Sequence, residues 1–275
     1  MSKTFHFLAG LPRSGSTLLA DILCQNPAIH ASSTSVMDRT YGRLGALWSE
    51  VSPEGVQAML HRDERGAEAR MTRYLKAGLE AWYEDVDRPV VVDKGRYWIN
   101  HLEQLQVTHP QSKVICTVRN PLTCFASVQK LHARFPVLRD GPENEPLFAK
   151  TLRYFDPQKG MIGSNLVRVE DKLALPRRWP SLVWVVFEEL VRHPKRAVQK
   201  LYADLELPWH EHDFERVEPT AQDLDALTNM KFRHDRPAGP VQDPKTDWRE
   251  HVPEGMAQKI ARDYPHVFSK WKEWF

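Results

Sequence analysis

The sequence predicts an α/β fold in which a central parallel β-sheet is covered by helices on both faces. Three observations carry that prediction. Short, continuous apolar runs (TFHFLA at 4–9, VVVD at 90–93, KVICTV at 113–118, LVWVVF at 182–187) read as strands buried on both sides. Between them lie stretches with helical periodicity, the alternation expected of a sheet wrapped by its own crossovers. Polar clusters fall just past three of the runs, at Gly10–Thr17, Asp93–Arg96 and Arg119–Ser127, where ligands bind in sheets of this kind.

Each element has its own reason. The first run ends at Gly10, and after the turn LPRSGS the residues Leu18, Leu19, Ile22 and Leu23 form one helical face that Asn26-Pro27 terminates. A second short strand is expected at Ala28–Ser32. From about Arg39 to Asp87 the pattern is helical, with Met71, Leu75, Leu79 and Trp82 as the apolar face. Residues 98–108 read as helix up to His109-Pro110, and another helix is expected through Phe125–His132. Residues 136–180 show one helical stretch, near 164–175. Pro194 fits a helix start, followed by Ala197, Val198, Leu201, Tyr202 and Leu205 on one face. Residues 210–253 read as mostly irregular. The tail from 254 is helical, with Tyr264, Phe268, Trp271 and Trp274 on a face that docks on the parent domain. One domain is expected over 1–275, with a helical insertion at about 39–88.

Composition excludes several classes. Lys plus Arg number 38 against 36 Asp plus Glu, a balance that gives no support to a nucleic-acid binder. No apolar stretch approaches the ~18 residues of a membrane span, and the first residues do not read as a secretory signal. Cys24, Cys116 and Cys124 form no CxxC pair, and no His or Cys cluster has metal spacing. A cytoplasmic protein with reduced thiols and no metal site is expected.

The segment G-L-P-R-S-G-S-T, Gly10–Thr17, has the G-x-x-x-x-G-x-T spacing of a phosphate-binding loop. Such a loop turns backbone N–H groups inward and aims the start of a helix at an anion. Ser14, Ser16 and Thr17 add hydroxyls around Gly15, and Arg13 adds a fork of donors suited to two oxygens. A nucleoside-triphosphate loop carries Lys where Ser16 stands, so the cationic role passes to Arg13. The fold expected is therefore P-loop-like and three-layered.

On these residues the chain resembles the sulfotransferases that use 3′-phosphoadenosine 5′-phosphosulfate (PAPS). LPRSGSTLL is similar to their 5′-phosphosulfate loop, most of all in the bacterial and tyrosylprotein branches. KVICTVRNPLTCFASV resembles the segment whose Arg and Ser clamp the donor's 3′-phosphate, which implies that role for Arg119 and Ser127. VVVDKGRYW places Lys94 where the tyrosylprotein branch has a catalytic Lys. DWREHVPEGMAQKIARDY, 247–264, resembles an Asp-Trp-Lys-x-His stretch of the cytosolic branch, but the basic Arg-Lys-Gly upstream of it is replaced by Val241-Gln242-Asp243. Arg233 is the expected substitute, with Lys231, Arg236 and Lys245 as alternatives.

The resemblance implies in-line transfer of a sulfuryl group to an acceptor hydroxyl or amine, with adenosine 3′,5′-bisphosphate (PAP) as product. Arg13 and Lys94 would flank the sulfate. The branch's catalytic Glu is absent from HASSTSVMD, and Asp38 is the nearest carboxylate for the role of base, with Asp93, next to Lys94, as its rival. His30 reads as structural. The acceptor is a small molecule, sugar or peptide, and the protein a monomer or homodimer. Two other readings stay open: a magnesium-dependent nucleotide kinase or NTPase, motivated by VVVD, and a non-catalytic nucleotide-binding module.

Overall fold

Apolar strand sequences buried on both faces need two covering layers, and the chain supplies them. The computed structural model describes residues 3–51, 53–136, 141–142, 144–220 and 238–272. Among these, β1 (Thr4–Gly10), β2 (Ile29–Thr34), β3 (Val90–Lys94), β4 (Val114–Val118) and β5 (Leu182–Val186) form one parallel sheet in the order β2-β3-β1-β4-β5. Side chains alternate between two cores. Phe5, Phe7, Val91, Val114 and Cys116 enter one, and Leu8, Val92, Ile115, Val183 and Val185 enter the other.

The second core is closed by helix α1 (Ser16–Cys24), through Leu19, Ile22 and Leu23, and by the helix Pro194–Asp204, through Val198, Leu201 and Tyr202. The first core is larger. Its cover includes α2 (Met37–Val51), α3 (Pro53–Trp82), α4 (Leu102–Thr108), α5 (Pro121–Arg134), α6 (Leu147–Phe155) and α7 (Gly163–Ala174), together with the C-terminal helices Glu254–Asp263 and Pro265–Lys270. Tyr264, Phe268 and Trp271 are buried in it, Trp271 meeting Trp184 edge-on at 5.8 Å. Pro265 opens the second of these helices and breaks the continuous tail helix expected. Trp274 lies outside the described residues.

Connectivity sets the position of the site. From β1 the chain crosses to β2 on one flank, whereas from β4 it continues to β5 on the other. The carboxyl ends of β1 and β4 therefore flank a crevice at the point where the strand order reverses.

Several elements differ from expectation for identifiable reasons. β2 runs to Thr34 across a register shift between Ala31 and Thr34. α3 is kinked at Asp63, whose carboxylate accepts the N–H of Gly66 at 3.0 Å and restarts the helix. At the end of α3 Leu75 and Leu79 are buried, but Trp82 is 53% exposed and Tyr83, beyond the helix, takes the inward place. α6 was not foreseen, because its apolar residues Leu147, Phe148 and Leu152 face outward while Thr151 and Tyr154 are buried. The stretch expected as helix at 98–108 is a 3₁₀ turn, Arg96–Asn100, followed by α4.

Tyr83 is inward because a buried acid needs it. Asp93 on β3 is fully enclosed, and its carboxylate accepts the Tyr83 hydroxyl and, at 2.6 Å, the Trp98 indole N–H. Burial outweighs these donors and raises its pKa from 3.8 to about 6. A carboxyl that holds its proton more tightly folded than unfolded stabilises the fold below its unfolded pKa. That contribution is lost as pH rises through the folded value. Relative to Asp93→Asn, the wild-type chain should lose about 2 kcal/mol of unfolding free energy between pH 4 and pH 6.5, as read from denaturant titrations at each pH. Parallel stability curves for the two proteins would contradict the assignment.

Candidate active site

The loop after β1 is shaped by how closely β1 and β4 approach. A Cβ on Gly10 would lie 2.1 Å from Thr117 Oγ1, so only glycine fits there. The Leu11 N–H donates to the Thr117 carbonyl at 3.0 Å, and Ser14 Oγ donates to the Leu11 carbonyl at 2.6 Å while sharing a 2.7 Å hydrogen bond with Thr117 Oγ1. Ser14 is buried, so its hydroxyl holds the bend rather than facing a ligand, unlike the role expected for it.

The bend places Arg13 in the left-handed region, with φ 62°. That conformation costs a non-glycine residue roughly 1–2 kcal/mol, and the site offsets it: Arg119 Nη1 donates to the Arg13 carbonyl at 3.1 Å. Gly15, at φ 85°, ends the bend; a Cβ there would lie 2.5 Å from the Phe187 ring. α1 then begins at Ser16, and its first N–H groups, which lack intrahelical acceptors, open toward the cleft.

The basic residues singled out in the sequence come together at this bend. Arg13 Nε donates to Ser127 Oγ at 3.3 Å. The Arg119 guanidinium stacks 4.3 Å from the centroid of Phe187, the ring under Gly15. Lys94 Nζ donates to Thr17 Oγ1 at 2.8 Å, with the Lys94 N–H held by Ser32 Oγ. Lys94 is only 6% exposed, which buries its aliphatic stem and directs its ammonium to the start of α1. Residues from β1, β3, β4 and α5 thus share one edge of the sheet.

A cleft of about 350 Å³ is lined there by Arg13, Ser16, Thr17, Arg119, Ser127 and Phe187 and roofed by Gly239, Pro240 and Gln242. A second hollow of about 500 Å³ shares Arg119 and Phe187 and is lined also by Lys245, Arg192 and Glu188. Glu188 accepts the Asn120 N–H at 3.0 Å, and burial raises its pKa. Asn120 in turn caps α5 through the Leu122 N–H, which fixes the helix that carries Ser127.

Some expected residues stand elsewhere. Arg233, with Lys231 and Arg236, lies outside the described residues, whereas the alternative Lys245 lines the hollow beside Arg119. Asp38 was expected to act as a base. It is 3% exposed, and its two oxygens accept the backbone N–H groups of Arg39 at 2.7 Å and Tyr97 at 2.8 Å. Burial is the main cause of its raised pKa, and its Cβ packs where a side chain on Gly95 would be. This is the geometry of a clamp. His30 lies on β2 against Tyr83 at 5.7 Å, its pKa lowered by burial, consistent with the structural role expected. Trp248 is core.

Asp93 bears on the kinase alternative. The carboxylate that a magnesium-dependent NTPase would aim at its metal is turned into the core by Tyr83 and Trp98, on the side of the strand opposite Lys94. Three contributors were not foreseen: Thr117, Phe187 and Tyr97. Thr117 alone left a trace in the sequence, as a hydroxyl within the apolar run of β4.

Comparisons with known proteins agree with this geometry. A model of the sulfotransferase family matches residues 6–211. Nodulation protein NoeE of Sinorhizobium fredii (strain NBRC 101917 / NGR234) is 26% identical over 209 residues, covering 72% of this chain and 49% of NoeE, so the chain spans about half the length of that relative. Among solved structures, the sulfotransferase domain from the curacin biosynthetic pathway shares the fold, with TM-score 0.55 and 16% identity over 96% of this chain and 97% of that one. A sulfotransferase from Alicyclobacillus acidocaldarius does so with TM-score 0.52 and 15% identity over 97% and 93%. The matched span holds β2 to β5, all but the first two residues of β1, and Arg13, Lys94, Arg119, Ser127 and Phe187: the chain belongs to the sulfotransferase family.

Proposed function

We propose that this protein transfers the sulfuryl group of PAPS to an acceptor hydroxyl or amine and releases PAP. The observation that carries the reading is the convergence of Arg13, Lys94, Arg119 and Ser127 on the start of α1, with no Lys in the loop where a triphosphate would need one. The first-turn N–H groups of α1, with the Ser16 and Thr17 hydroxyls, receive the 5′-phosphate. Arg119, Ser127 and Lys245 receive the 3′-phosphate, a dianion suited to a guanidinium fork and a nearby hydroxyl.

In the transfer the bond between sulfur and the bridging oxygen of the donor breaks as the acceptor oxygen or nitrogen bonds to sulfur, and the acceptor's proton passes to solvent. Negative charge builds on the leaving 5′-phosphate and on the equatorial sulfate oxygens. Lys94 and Arg13 neutralise it from either side, as fixed charges in a site that needs no reorganisation. Alignment supplies the rest.

Asp38 acts in this reading as a positioning residue. It pins the Arg96–Asn100 turn to the start of α2, and with it the end of β3 that carries Lys94.

Two measurements test the scheme. With 35S-labelled PAPS and a broad acceptor mixture, Arg13→Ala and Lys94→Ala should each lower the transfer rate by roughly 10²–10³-fold while the circular dichroism stays native. Wild-type protein that binds the donor but transfers to no acceptor, water included, would favour a non-catalytic module. For Asp38→Asn, a lower kcat with the acid limb of the pH–rate profile unmoved is expected. Loss of that limb would make Asp38 the base instead.

A further inference from the structure

Past the end of β3, three residues beyond Lys94, the ring of Tyr97 holds two cations. The Arg39 guanidinium, from the start of α2, lies 5.0 Å from its centroid, and that of Arg168, from α7, lies 4.9 Å away. Neither cation forms an ion pair with a carboxylate of the described residues, whereas Arg153, Arg178, Arg216 and Arg249 each do. Arg168 is half-buried, and burial alone lowers its pKa. Among the described residues its one side-chain hydrogen bond goes to Asn165 Oδ1 at 2.8 Å, and Asn165 is itself oriented by the Met161 carbonyl at 2.7 Å. A guanidinium has five N–H donors, so the described residues leave most of those on Arg168 available. Asp38 makes no ion pair with Arg39; its oxygens accept backbone N–H groups, and the Arg39 charge acts on it only through space.

The location gives this pair a meaning. Gly95 lets Asp38 close against the strand end, and Asp38 holds the Tyr97 N–H, so the platform is tied to the backbone that delivers Lys94 to Thr17. In the reading above the donor's phosphates go to α1, Arg119, Ser127 and Lys245, and Tyr97 lines neither of the hollows that these residues line. Two cations aligned on an aromatic ring, with no carboxylate ion pair among the described residues and three residues along the chain from Lys94, fit an oxyanion carried by the acceptor. We infer that the acceptor bears an anionic group of its own, a carboxylate, phosphate or existing sulfate, and that Arg39 and Arg168 on Tyr97 bind it. The inference rests on the sulfuryl-transfer reading above, and it makes these two arginines determinants of acceptor choice.

The test begins with protein saturated with PAP, so that the donor cleft is filled. Acetate and inorganic phosphate are then titrated at constant ionic strength against chloride, with the Arg Nε–H signals followed by NMR. Saturable shifts of the Arg39 and Arg168 signals are expected, and their disappearance in Arg39→Gln/Arg168→Gln with PAP affinity kept within twofold. In the transfer assay, carboxylate acceptors should be preferred over their methyl esters by at least tenfold, a preference the double variant loses and Arg168→Lys keeps in part. PAP binding without any saturable anion effect at these two residues would overturn this inference alone. So would a carboxylate preference unchanged in the double variant, or PAP affinity that falls in parallel with anion binding. Failure of PAP to bind at all would instead remove the sulfuryl-transfer reading, and this inference with it.

Discussion

The site depends on the contact between Gly10 and Thr117. Because the ends of β1 and β4 approach too closely for any side chain on Gly10, the chain leaves β1 under the control of the Thr117 carbonyl and hydroxyl. The bend this imposes turns Arg13 left-handed, presents its carbonyl to Arg119, and starts α1 with free N–H groups facing the crevice. Arg119 binds the loop and lines the cleft at once. The strain at Arg13 is thus held by the same guanidinium that is proposed to hold the donor, so the loop's shape and the donor contact rest on one side chain.

A chain with nearly balanced charge builds a cationic edge by burying the competing acids. Asp93 is sealed by Tyr83 and Trp98, and Asp38 by two backbone N–H groups. Each lies next to a basic residue in sequence or space, yet each carboxylate is spent on positioning a backbone segment. What remains open toward the cleft is Arg13, Arg119 and the hydroxyls of α1 and α5. That difference separates the site from a metal-dependent phosphoryl-transfer site, in which a strand-end carboxylate must face the ligand.

The strands and the donor loop were legible because their signals are local. A continuous apolar run needs no partner to be recognised, and the Pro-Arg-Ser-Gly-Ser-Thr run sits between a strand and a helix in one stretch of chain. Features set by packing were not legible. α6 buries Thr151 and exposes Phe148 because its neighbours, not its own periodicity, decide which face is covered. Trp82 and Tyr83 exchanged places because Asp93 needs a hydroxyl. Ser14 was read as a ligand contact, since nothing in sequence shows that a left-handed Arg13 would turn it toward Leu11 and Thr117. The pairing of Arg39 with Arg168 joins helices far apart in the chain.

The central claim is that this bend selects a nucleotide with phosphates at both its 3′ and 5′ positions, without help from a metal. Calorimetric titration in EDTA, comparing adenosine 3′,5′-bisphosphate with adenosine 5′-monophosphate, tests it most directly. The bisphosphate should bind roughly 10–100-fold more tightly, as charge-assisted bonds to one added phosphate allow, and Arg119→Ala should erase the gap. Equal affinity for the two nucleotides, or tighter binding of ATP once magnesium is restored, would contradict it.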